Sequence, residues 1–293
     1  MNSTGANESR NRLRRRTAAH LLMGASLAGL LLAAGYFFFV RTAAGQHWDN
    51  EGYAGRQAVV GEVRTFDSDI LAEVSKQTLM ISLGGLFVIS LILRRPVVGL
   101  VAVTAAAAAI FGAEFLKNVL PRELLSVPTV PVPAYFSADT YPSGHTTVGT
   151  SLALACVLIF GAWLRPWLAV IAGLMSSSYA TAVLFMGWHR PSDALGGIAW
   201  SGFCMACAAA LLVLFHGHHA PPAKWAAWIF SAAAAFLLIA LLAFTVFSHP
   251  VDSPSTIPFF SMSAAIIVAG FALPAWLALA LAHIDWRSSL HRE

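Results

Sequence analysis

The chain has 293 residues, 58% of them hydrophobic and only 11% charged, with a formal net charge of +4. Mean hydropathy is +0.70, and a soluble fold is excluded because a soluble domain needs far more surface charge. The excess of cations does not point to nucleic acid either, because the basic residues sit at the ends of apolar runs rather than in one patch.

Residues 1–16 are polar and carry Arg10, Arg12, Arg14, Arg15 and Arg16; an apolar run from Ala18 to Val40 follows. That run is longer than the core of about 7–15 residues in a signal peptide, so it reads as an uncleaved first span despite the cleavage-like Ala43-Ala44-Gly45. Apolar runs of about twenty residues then recur, each long enough to cross a bilayer as a helix. The expected spans are 18–40, 75–93, 97–116, 146–164, 167–187, 193–215, 225–247 and 258–282. The fold class is all-α: a polytopic membrane helical bundle of about eight transmembrane helices.

Alternation assigns the faces. With the arginine-rich amino terminus inside, Arg94, Arg95, Arg165, Lys224, Arg287 and Arg292 also fall inside, as the positive-inside rule requires. Both termini are then cytoplasmic, and 41–74, 117–145, 188–192 and 248–257 lie outside. The 41–74 segment reads either as a solvated connector or as one carrying a short interfacial helix near 58–63. The proline-rich stretch between Leu124 and Ser143 should be irregular. The alanine run Ala105–Ala109 predicts close helix packing. Cys156, Cys204 and Cys207 lie inside apolar runs and read as small buried hydrophobes. His216, His218 and His219 have no carboxylate or cysteine nearby, so headgroup contact is the better reading than a metal site.

The chemistry gathers at the outer ends of the third to sixth spans. Lys117 closes the third span and Arg122 follows; Pro142-Ser143-Gly144-His145 opens the fourth; His189-Arg190-Pro191-Ser192-Asp193 opens the sixth. His189 and Asp193 are four residues apart, a spacing that meets on one face of a helical turn. A neutral imidazole attacks phosphorus if its other nitrogen is held as N–H, and Asp193 can accept that bond. A lipid alkoxide needs a proton donor, for which His145 has the right chemistry. Lys117, Arg122, the Ser143 hydroxyl and the Gly144 N–H supply donors for phosphoryl oxygens. The helix start after Ser143 adds its dipole.

These three segments resemble the motifs of the type 2 phosphatidic acid phosphatase superfamily, the lipid phosphate phosphatases related to bacterial acid phosphatases and vanadium haloperoxidases. The resemblance covers about residues 75–215, with the first span completing a six-helix membrane core. It implies His189 as nucleophile, Asp193 as its orienter and His145 as general acid. Lys117, Ser143 and Gly144 would hold phosphate, with no metal and no other cofactor. The chain departs from the pattern at Leu124, Ala182 and Val183, where the family has Arg-Pro or Ser-Arg. Arg122 and Arg190 are therefore expected to supply the displaced phosphate contacts. The Gly-Trp-His-Arg-Pro-Ser-Asp form at 187–193 is similar to a divergent bacterial branch.

The resulting expectation is a basic cytoplasmic tail at 1–16, a six-span lipid phosphatase core at 17–216, an extra two-span helical pair at 217–283 and a cytoplasmic tail at 284–293. The expected activity is hydrolysis of a lipid-linked phosphate or diphosphate at the outer leaflet of the plasma membrane, through a phosphohistidine. The partners are the bilayer and its lipid phosphate, such as a polyprenyl phosphate or diphosphate or phosphatidic acid; no nucleic acid is expected. Transfer of the phosphoryl group to an acceptor other than water, and a silent lipid-binding protein, are the alternatives.

Overall fold

In a computed structural model, residues 3–58, 69, 71–72, 74–123, 125, 140–226, 228–230, 232–234, 237 and 255–286 are described. The elements are α1 (Ser3–Gly35), α2 (Ala43–Ala54), α3 (Lys76–Ile92), α4 (Pro96–Val119), α5 (Gly144–Ile159), α6 (Arg165–Phe185), α7 (Pro191–His216) and α8 (Thr256–Ala280). Two short strands, β1 (His218–His219) and β2 (Ile284–Asp285), pair antiparallel. The protein is an all-α polytopic membrane bundle. Among the described residues, five helices are long and apolar enough to cross a membrane: Arg10–Val40, Pro96–Val119, Arg165–Phe185, Pro191–His216 and Thr256–Ala280. Helices α3 and α5 are shorter apolar helices of 17 and 16 residues. The expected span at 225–247 lies mostly outside the described residues.

Local chemistry sets the helix starts. Ser75 caps α3 in a capping box with Thr78. Proline stands in the first turn of α4, α6 and α7, where its missing N–H costs nothing. Helix α1 runs back through the basic tail, whose arginines and leucine favour helix. At its other end it continues into a π-helical turn over Tyr36–Val40.

Helix α4 carries Ala102, Ala106, Ala109 and Ala113, all fully buried at helical spacing. This stripe of small side chains lets α5 and α7 approach closely, which is how membrane helices gain packing where lipid competes for apolar contact. Helix α1 lies along α7, α5 along α6, and α8 along α6 and α7. The carboxy-terminal helix is thus packed on the bundle and also touches α2.

The bundle has two unlike ends. At one, the Arg165 side chain is buried and its guanidinium donates to the carbonyls of Val157, Phe160, Leu281 and Ile284. Arg165 was expected only as one of the cations on the inner side; here it ties the end of α5 to the end of α8. Arg95 pairs with Asp285 at 2.9 Å beside it. At the other end meet the starts of α5, α7 and α8, the ends of α4 and α6, and the whole of α2.

Candidate active site

The turn between α6 and α7 carries His189. Gly187 takes a left-handed conformation, φ +72°, which glycine adopts without strain. The N–H groups of Trp188 and His189 both donate to the Val183 carbonyl, at 2.9 and 3.0 Å. Tyr53 O–H donates to the Gly187 carbonyl at 3.2 Å, and the Arg56 guanidinium lies over the Tyr53 ring at 3.7 Å. Helix α2 thereby braces the turn.

Asp193 stands at the third position of α7. Its Oδ2 accepts from the Arg190 backbone N–H at 3.1 Å, half of a capping box, and lies 3.3 Å from His189 Nδ1. Its Oδ1 accepts from Arg122 Nη2 at 3.0 Å. Arg122 also donates from Nη1 to Asp49 Oδ2 at 3.3 Å and from Nη2 to Ser192 Oγ at 3.2 Å. Asp49, on α2, accepts from the Ser192 N–H at 2.9 Å through Oδ1 and from the Ser192 hydroxyl at 2.6 Å through Oδ2. One guanidinium is therefore clamped between two buried carboxylates.

The start of α5 faces this turn. The Ser143 N–H donates to the Asp193 carbonyl at 2.8 Å, joining the two helix starts. His145 is half-buried, its ring 5.1 Å from that of Trp188. It lies within electrostatic reach of His189, Lys117 and Glu114. Lys117 pairs with Glu114 at 2.7 Å. A Cβ on Gly144 would lie 2.5 Å from Glu114 Oε1 and 3.4 Å from Lys117 Nζ, so a larger residue there would push the exposed Glu114 side chain aside.

His189, Asp193, His145, Lys117 and Gly144 are thus brought to one end of the bundle. The other expected residues serve different neighbours. Ser143 Oγ accepts from Thr146 N–H as the α5 cap, at 3.4 Å, which leaves its own O–H chemically able to donate. Arg122 is buried on carboxylates. Arg190 is buried and its Nε donates to Asn50 Oδ1 at 2.8 Å, toward α2. In this arrangement the contacts of both arginines build the layer behind His189.

Charge in that layer is tightly coupled. Burial lifts the Asp49 carboxyl above the usual range, Arg122 opposes it and Asp193 adds to it. Burial works against the Arg122 cation, but Asp193 and Asp49 more than offset it and hold it charged. Burial lowers Arg190, with Arg122 adding repulsion.

Residues 96–216 match the model of the PAP2 superfamily. This stretch of the chain belongs to the PAP2 superfamily. No curated protein and no solved structure matches the chain. The PAP2 stretch runs from the first residue of α4 to the last of α7 and holds Lys117, Arg122, Ser143, Gly144, His145, His189, Arg190 and Asp193. It excludes Asp49, Asn50, Tyr53 and the rest of α2.

Those α2 residues escaped the sequence reading. The 41–74 segment is not a plain connector: a helix occupies 43–54 and a 3₁₀ turn ends at Ala58, while the expected helix at 58–63 lies, beyond Ala58, outside the described residues. One signal was present. Gln46, Asp49, Asn50 and Tyr53 fall at i, i+3, i+4 and i+7, one face of a helix, and all four are buried. Glu114 and Trp188 carried no signal beyond their nearness to the motifs.

Proposed function

We propose that this PAP2 membrane protein is a phosphatase of lipid-linked phosphates or diphosphates, working at the extracytoplasmic face through a phosphohistidine on His189. The observation that carries this reading is the contact of His189 Nδ1 with Asp193 Oδ2 at 3.3 Å. It fixes the proton on Nδ1 and leaves the Nε2 lone pair to attack phosphorus. As the N–P bond forms, the P–O bond to the lipid breaks. His145 gives its proton to the departing oxygen. Water then attacks the phosphohistidine, His145 takes the water's proton, and phosphate leaves with His189 restored. Lys117, the Gly144 N–H and the start of α5 supply positive potential for the phosphoryl oxygens. Glu114 holds Lys117 beside Gly144, and an arriving phosphoryl group takes Lys117 from it.

Three features support a lipid substrate at an outer face. The site lies where helices end, with Trp188 exposed next to His189. The cations of the opposite end, Arg10, Arg12, Arg14, Arg15, Arg16, Arg94, Arg95 and Lys224, support a cytoplasmic placing of that end by the positive-inside rule. An apolar cavity of about 580 Å³ opens between α1, α7 and α8 and reaches Tyr141 and Ser192, next to Asp193; an apolar chain is its natural filling. The test is phosphate release by the purified protein in detergent from polyprenyl phosphate, polyprenyl diphosphate and phosphatidic acid. Release from at least one is expected; release from none, with the protein folded, overturns the reading.

The proton-donor role makes its own prediction. His145→Ala should slow hydrolysis of an alkyl phosphate by about 10²–10⁴-fold, the usual worth of general acid catalysis. An aryl phosphate with an acidic leaving group needs little protonation and should lose far less. Equal losses for both esters would remove His145 from that role.

Metal dependence is also decided by the donor set. Asp49 and Asp193 are both spent on Arg122, and Glu114 on Lys117. Magnesium prefers oxygen ligands in octahedral order, which this cation-rich site does not offer. Turnover should be unchanged in chelator. Loss in chelator with recovery on adding magnesium would contradict the mechanism.

A further inference from the structure

The histidine–aspartate pair does not stand alone. Asp193 has two oxygens and three donors around it: Arg122 on Oδ1, and His189 and the Arg190 N–H on Oδ2. A guanidinium prefers a carboxylate in bidentate fashion, fork against fork. Taken that way, Arg122 would cover both Asp193 oxygens and compete with His189 for Oδ2. It does not, because its other nitrogen is held by Asp49 at 3.3 Å. Asp49 is fully buried and is itself fixed by two bonds from Ser192, the residue next to Asp193.

We infer that Asp49, on a helix outside the PAP2 stretch, is a positioning residue for the reaction: it splits the Arg122 fork so that Asp193 Oδ2 stays on His189 Nδ1. The inference rests on the phosphohistidine reading for its kinetic consequence, and on geometry alone for its structural one. Asp49 touches no substrate. Its effect passes through Arg122 and Asp193 to the tautomer and ring orientation of His189.

A purely structural role has a different signature. Through Ser192, Asp49 also caps the start of α7, and losing a cap costs stability without touching chemistry. Asp49→Asn separates the two roles. Asparagine keeps an oxygen for the Ser192 N–H but loses the charge that holds Arg122. In this variant Arg122 keeps Asp193 but loses one of its two buried carboxylate partners, so some stability is lost and turnover is read per folded protein. Turnover should fall by about 10–100-fold, by analogy with the cost of losing the partners that orient metal-bound histidines. Competitive inhibition by inorganic phosphate should stay within about twofold, since Lys117 and Gly144 are untouched, an expectation in line with loss of a transition-state interaction alone.

A double-mutant cycle with Arg122→Gln provides the second arm. If Asp49 acts through Arg122, Asp49→Asn should cost little further once Arg122 is gone. Should Asp49→Asn fail to insert, Arg122→Lys carries the test, because one ammonium cannot bridge two carboxylates in the same way; it should lose turnover similarly. The third arm needs no turnover. Long-range ¹H–¹⁵N spectra of histidine-labelled protein in micelles, assigned with His189→Gln, should show His189 with its proton on Nδ1. In Asp49→Asn that tautomer should give way to a mixture.

Unchanged tautomer and unchanged turnover in Asp49→Asn would overturn the inference, as would an equal cost of Asp49→Asn with and without Arg122. Unchanged turnover in Arg122→Lys would do the same where that variant stands in. If the tautomer moves but the parent protein hydrolyses no lipid phosphate, the positioning role stands and the phosphatase reading falls.

Discussion

His189→Ala is expected to reduce phosphate release to the background of the assay. Removing a covalent nucleophile removes the first chemical step itself, and the loss in comparable covalent enzymes is on the order of 10⁶ in turnover. The variant should nevertheless fold. The imidazole contributes one bond to Asp193 Oδ2, and the Arg190 N–H still occupies that oxygen in its absence. Thermal stability and insertion should therefore stay close to the parent's. Substantial turnover in a folded His189→Ala protein would show that water attacks the substrate directly.

The second large effect belongs to Asp193→Asn. An asparagine can turn its amide NH₂ toward His189 Nδ1, which favours the wrong tautomer and places the proton on the attacking nitrogen. By analogy with the orienting aspartate of serine hydrolases, the expected loss is about 10⁴ in turnover. Here a stability cost accompanies it. Arg122 loses one of two carboxylate partners in a fully buried setting, and breaking a buried pair costs about 3–5 kcal/mol when no partner remains. Asp49 remains, so the cost should fall below that range, and the folded fraction can be measured separately from turnover. A loss of activity no larger than the loss of folded protein would reduce Asp193 to a structural role.

The membrane helices were legible because each is a continuous apolar run with a polar break at both ends. The expected spans 75–93, 193–215 and 258–282 became Lys76–Ile92, Pro191–His216 and Thr256–Ala280. The fourth ends earlier than expected, at Ile159, because Phe160 turns extended there, ψ 159°, ahead of Gly161. The placing of His189, Asp193, His145 and Lys117 at one end followed from alternation alone, since each lies at a helix terminus. The layer behind them did not. Asp49 and Ser192 are 143 residues apart in the chain, and Asp49 and Arg122 are 73 apart. No local pattern links them. A polar stripe on a helix between two spans reads as a solvated face, and the same stripe buried against another polar layer looks identical in sequence. Arg122, Arg165 and Arg190 illustrate the same limit. A cation beside a span end suggests lipid or substrate, whereas each of these is buried on carboxylates, carbonyls or an amide.

The central claim is that the phosphoryl group passes through His189. Protein mixed with a ³²P-labelled lipid phosphate and quenched in alkali within the turnover time tests it directly, because phosphohistidine survives base and is lost in acid. The account predicts a base-stable, acid-labile phosphoprotein whose label maps to His189 and is absent from His189→Ala. Steady release of phosphate with no labelled protein at any quench time, or label on any other residue, would contradict it.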